Sequence, residues 1–170
     1  MLNKVQVMQI LTEGLKAFQE VVDGEVFYGK VPVSARLGNW GSLGGNGCTV
    51  CTAGARYLKE NRTTIFEAIA QYQKETGVTR MVAMKAIIGD PEILLDSMRV
   101  VDLSQGASLK LTGDMTVFGL FRQLGIEVPK VSQKEGYLNP YQVIDRIKGI
   151  LMMNADKMEE EETEVLSVLP

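Results

Sequence analysis

The residues from Arg36 to Cys48 are the densest special segment of the chain: Arg36-Leu-Gly-Asn-Trp-Gly-Ser-Leu-Gly-Gly-Asn-Gly-Cys48. A glycine-rich loop running into a helix start can aim free backbone N–H groups at an anion, and the helix dipole adds to the attraction. Gly44 and Gly45 would let the backbone approach a ligand closely, and Ser42, Asn46 and Thr49 would donate further hydrogen bonds. Arg36 or Lys30 would neutralise a phosphate, and Trp40 offers a face for stacking a base or sugar. On this reading Arg36, Trp40, Ser42, Gly44, Gly45, Asn46 and Thr49 hold a small, nucleotide-like anionic ligand. The spacing matches neither a Walker A loop nor a Rossmann fingerprint after a buried strand. The competing reading is structural: the glycines permit tight turns and close packing while Trp40 plugs the core.

The same segment ends on a Cys-x-x-Cys pair, Cys48 and Cys51. At a helix N-terminus the dipole lowers a thiol pKa, so Cys48 could act as attacking thiolate and Cys51 as resolving thiol of an oxidoreductase or redox sensor. Trp40 is not adjacent to the pair, and no βαβ pattern surrounds it, unlike thioredoxin-like sites. Two cysteines without histidine fall short of a four-ligand zinc site, so no metal is assigned. The competing reading makes them two small buried hydrophobes on one helix face.

The chain has no histidine. That removes Ser-His-Asp and Cys-His hydrolases, His-x-Glu deaminase sites and histidine-ligated zinc. Enzyme chemistry would have to rest on carboxylates, lysine, tyrosine or the thiols, so the balance leans against catalysis, and no cofactor is assigned. The 170 residues fit one domain with a sizeable core, and 45% hydrophobic with 23% charged residues is ordinary for a globular protein. The formal net charge of -3 gives no general reason to bind nucleic acid or an anionic membrane. No apolar run approaches the roughly 18 to 20 residues needed to cross a bilayer. The N-terminal segment lacks the basic start and cleavage site of a signal peptide, and the cysteines form no secreted framework. A reducing cytoplasm is the expected location.

The elements that must position these residues are mostly helices. Apolar residues at helical spacings predict one amphipathic helix over 2–22, ending before Asp23-Gly24. Residues 25–33 alternate briefly (Val26, Tyr28; Val31, Val33) and suit short β pieces, and a second short alternation lies at 107–111. Gly38, Gly41, Gly44, Gly45 and Gly47 read as a long flexible connection. A helix from Cys48 to Glu60 follows, its small residues Thr49, Thr52, Ala53, Gly54 and Ala55 suggesting close packing against a neighbour, and Asn61-Arg62 break it. Thr64 with Glu67 fits a capping box for a helix that stops at Gly77. Further helices are expected over 78–88, from Asp90-Pro91, from Asp114 to about Gly125, and from Asn139-Pro140 through Met158. The fold class is mainly α: a compact single-domain helical fold with a glycine-rich loop. Residues 1–153 form the globular domain and 154–170 an acidic C-terminal tail.

Other features have plain readings. Asp90, Glu92 and Asp96 suit caps and dipole partners at one helix start. Methionines 81, 84, 98, 115, 152, 153 and 158 sit mostly at core spacings. Arg56, Lys59 and Arg62 lie at the negative dipole end of the cysteine helix, and the apolar end after the tail acids could dock on a partner or a second copy.

The stretch Cys48-Thr-Val-Cys-Thr-Ala-Gly-Ala55 resembles a group of small bacteriophage and bacterial proteins of unknown function. These carry a Cys-x-Val-Cys-Leu-Ala-Gly-Ala helix after a Trp-Gly loop. Trp40-Gly41 matches the upstream part, Thr52 replaces the leucine, and Leu95-Asp-Ser-Met-Arg99 is similar to a Leu-Asn-x-Leu-Arg stretch of the group. The resemblance implies a phage setting and carries over no functional residue. Together these readings point to a non-enzymatic binding protein that blocks a host protein or sequesters a nucleotide-like anion, in a host-takeover or anti-defence role. The alternatives are the Cys-x-x-Cys oxidoreductase or sensor, and an assembly protein that forms homo-oligomers through its helices.

Overall fold

A computed structural model describes residues 2–44, 47–99, 116–129 and 139–168, the last helix by its backbone alone after Ala155. Helix α1 (Lys4–Val22) starts at Asn3, whose side chain accepts from the Gln6 amide at 2.8 Å while Gln6 Oε1 accepts from the Asn3 amide at 2.9 Å. This reciprocal cap satisfies two of the helix's orphan donors. The helix buries Val7, Leu11, Phe18 and Val21 along one stripe and stops at Asp23, followed by Gly24 at φ 74°.

Four short strands follow: β1 (Phe27–Tyr28), β2 (Val31–Ala35), β3 (Trp40–Gly44) and β4 (Gly47–Val50). They form one sheet in the order β1-β2-β4-β3, with β1–β2 and β3–β4 antiparallel and β2–β4 parallel. The segment expected to be a flexible glycine connection is thus a β-hairpin, and the strand content near 25–33 extends on to Val50. The 107–111 alternation lies outside the described residues, as do Gly45, Asn46 and Asp114.

Helices α2 (Thr52–Asn61), α3 (Ile65–Thr76), α4 (Arg80–Ile87) and α5 (Asp90–Asp96) come next, with a 3-10 turn at Ser97–Arg99. The chain then gives α6 (Val117–Gln123) and α7 (Pro140–Val168). Most boundaries follow local chemistry. Thr64 Oγ1 accepts from the Glu67 amide at 3.1 Å and Gly77 closes α3 at φ 71°. Asn139 and Gln142 form a second reciprocal cap at α7. Helix α6 begins two residues later than Asp114 would require, with Thr116 as its cap. Helix α7 runs unbroken across the 153/154 boundary: Asn154 is buried and exchanges two 2.9 Å hydrogen bonds with the backbone of Glu127.

Leu11, Phe18, Ile65, Leu94, Phe121 and Ile147, from five different helices and all but inaccessible, meet in one core. The described chain is one compact, mainly helical domain with a small open sheet. Helices α1, α2 and α3 all pack against that sheet. No helix among the described residues is long and apolar enough to cross a membrane.

Candidate functional site

Period-2 alternation sorts the sheet residues onto two faces. Val33, Cys48 and Val50 are buried toward the helices, while Ser34 and Ser42 are exposed and Thr49 half-buried on the opposite side. Register makes the second group a row. Ser34 of β2 pairs with Thr49 of β4, and Thr49 pairs with Ser42 of β3. A bulge between Trp40 and Ser42 brings Ser42 into this phase. Three hydroxyls therefore lie side by side across three strands, spanning about 10 Å. The alternation continues to Arg36, whose amide donates to the Val50 carbonyl at 2.8 Å and whose side chain is exposed beyond Ser34.

Arg36, Ser42 and Thr49 are thus brought together, and Ser34 joins them. The sequence reading passed over Ser34, although the alternation Val31, Val33, Ala35 against Pro32, Ser34, Arg36 carries the signal. Trp40 is on the other face. It pairs with Val50, and its ring meets Phe66 of α3 with centroids 5.9 Å apart and planes at 47°. The Arg80 guanidinium lies 5.9 Å from the Phe66 centroid. Gly44 ends β3 opposite Gly47.

The cysteine segment is a packing device. Cys48 is inside β4, not on a helix, and is buried against Val33 across the ladder. Cys51 is the N-cap of α2, its sulfur accepting from the Gly54 amide at 3.5 Å. Thr52, Ala53, Gly54 and Ala55 are all buried. A Cβ on Gly54 would lie 3.2 Å from the Asn39 carbonyl oxygen and from Val50 Cβ, so the small residues let α2 rest directly on the hairpin. The expected close packing of this helix is present, but its N-terminus faces the interior rather than a ligand. Burial pushes the Cys51 thiol up to about 12, with Asp96 adding in the same direction, and burial and Glu67 also raise Cys48. Desolvation outweighs the helix dipole here. Both thiols are free.

A second polar group lies beneath. Arg56 of α2 reaches Glu92 at 2.7 Å, Glu13 at 3.2 Å and Glu60 at 3.3 Å. Glu92 stands in the first turn of α5, as a dipole partner would, but the N-cap is Gly89 and both Glu92 and Asp96 are buried on α5, which packs against α2. Burial raises the Glu92 carboxyl to about 7, with Arg56 opposing and Glu60 adding to the rise. At Glu13 burial pulls upward, but hydrogen bonds from Arg56 and Gln9 hold the carboxyl below its usual value. One cation shared by three carboxylates ties α1, α2 and α5 together.

Comparisons of this chain with protein-family models, with curated proteins and with solved structures find no match. Hydroxyls and a guanidinium on one exposed sheet face can donate to carbonyls, carboxylates or phosphates, and the hydroxyls can also accept. Among the described residues, the Ser34, Ser42 and Thr49 hydroxyls make no hydrogen bond to a carboxylate or an amine.

Proposed function

We propose that the protein is a non-enzymatic binding protein, phage-encoded and acting on a host protein, that covers its partner with the open face of its small sheet. The observation that carries this reading is the register-fixed row Ser34–Thr49–Ser42 with Arg36 at its end. An exposed polar sheet face suits a macromolecule better than a small ligand, which is held by concave, mostly apolar sites. The face also rests on a buttressed scaffold: a buried cysteine–valine layer, then α2, then the shared Arg56 cluster. Rigid support of this kind limits the entropy lost when a surface binds.

The experiment is quantitative capture from bacterial lysate with the wild-type protein and with Thr49→Arg and Arg36→Glu. A protein retained near one-to-one by the wild type and lost from both variants supports the reading. Equal retention by all three removes it. A nucleotide found bound in native mass spectrometry, and lost on Arg36→Glu, would turn the reading toward the small-anion alternative.

A further inference from the structure

Helix α7 shows a stripe on the side turned away from the core. Val143, Ile144, Ile147 and Ile150 are buried, whereas Tyr141, Asp145, Lys148 and Met152 are exposed. At 100° per residue these four fall within about 60° of one another, opposite the buried face. Met152 is 77% and Tyr141 70% exposed, the largest exposures among the exposed large hydrophobic residues. This reverses the expectation of core packing for Met152. Asp145 and Lys148 have no ion-pair partner among the described residues.

The order of the stripe is self-complementary. It reads aromatic, acid, base, thioether, and is related to its own reverse by a two-fold axis between Arg146 and Ile147. Antiparallel pairing about that axis sets Tyr141 against Met152 of a second copy and Asp145 against its Lys148, each contact occurring twice. Isologous interfaces have this property, with residue i meeting j and j meeting i. An aromatic ring against a thioether is a favourable apolar contact, and two symmetric charge pairs fix the register.

We propose that α7 is a homodimer interface, pairing antiparallel with α7 of a second copy through Tyr141, Asp145, Lys148 and Met152. The occupant is a second copy of this chain because the charge order matches its own reverse. The pairing is independent of the sheet-face reading, which it neither needs nor supports.

Charge exchange tests it in the full-length protein. Sedimentation velocity from 5 to 200 µM, concentrations chosen for a weak interface on the order of micromolar affinity, should show a reversible monomer–dimer equilibrium. Lys148→Asp places two carboxylates opposite each other twice and should weaken the dimer at least tenfold. The double variant Asp145→Lys/Lys148→Asp restores opposite charges and should recover it. All the altered side chains are exposed, so melting temperatures should stay within a few degrees and separate a folding defect from an interface defect. Tyr141→Cys/Met152→Cys should form a disulfide-linked dimer on oxidation, whereas Tyr141→Cys alone should not, because its two copies would lie about 16 Å apart along the helices. A strict monomer at 200 µM overturns the proposal, and so does a dimer indifferent to Lys148→Asp or not recovered by the double exchange.

Discussion

Replacing Glu92 with glutamine should stabilise the protein above neutral pH and leave it almost unchanged near pH 5. The Glu92 side chain is 8% exposed, and its Oε2 has no hydrogen-bond partner among the described residues. Its carboxyl moves from an ordinary 4.5 to about 7, with burial the main cause. Between those values the folded protein holds a proton that the unfolded chain releases, so this group's contribution falls as pH rises from 4.5 to 7. Above that range the full penalty is present; below 4.5 it vanishes. The interval corresponds to about 3 kcal/mol as an upper bound. Breaking a buried pair usually costs about 3–5 kcal/mol because the remaining charge is orphaned. Arg56 is not orphaned here: Glu13 and Glu60 stay within 3.3 Å of it, and the glutamine oxygen can still accept from it. The net gain for Glu92→Gln should be about 1–2 kcal/mol at pH 8, a rise of roughly 3–6 °C in melting temperature for a chain of this size. Calorimetry on both proteins at pH 5 and pH 8 reads the difference. A variant destabilised equally at both pH values would instead make Glu92 an ionised partner of Arg56 throughout.

Two further outcomes follow from the packing. Gly41→Ala should destabilise by about 2–4 kcal/mol in urea unfolding: its φ is 118°, and a Cβ there would lie 2.5 Å from Thr64 Cβ. Thr64 is itself buried and caps α3, so it cannot withdraw without losing that cap. Ellman's reagent should label Cys48 and Cys51 at least about 100-fold more slowly in the native protein than after denaturation, since both are buried and raised. One thiol reacting at close to its unfolded rate would restore the thiolate role.

Helix ends were the most legible part of the sequence because their signals are local. Asp23-Gly24, Gly77 and Asn139-Pro140 each act within one turn of chain, and each does so in the structure; Thr64 caps α3 as expected, while the Glu67 carboxylate accepts from the Tyr28 and Thr63 hydroxyls instead of closing the box. The hairpin was not legible for the opposite reason. Its outward positions are hydroxyls and glycines, so β3 and β4 carry little of the β-branched alternation that marks a strand, and the parallel β2–β4 pairing joins residues 15 apart, such as Ser34 and Thr49. Misreading β4 as helix placed Cys48 on a helix start, from which the expectation of an acidified thiol followed. The α5 acids do stand at the helix start, but their burial was not legible, because a first-turn pattern says nothing of what lies opposite, here Arg56 beside Glu92. Of the anion-site residues, Arg36, Ser42 and Thr49 share a face while Trp40 does not. A bulge decides that, and bulges leave little trace in a single sequence.

Adjacent residues of β4 separate scaffold from binding surface, because Cys48 faces the scaffold and Thr49 the open face. The measurement is melting temperature together with partner capture for Cys48→Ser and Thr49→Arg. Cys48→Ser should lower the melting temperature by several degrees while captured protein per folded molecule is unchanged. Thr49→Arg, at a half-buried position whose side chain is on the open face, should remain folded with a smaller loss of melting temperature than Cys48→Ser, and should lose capture. Full capture by a folded Thr49→Arg protein would contradict the sheet-face reading.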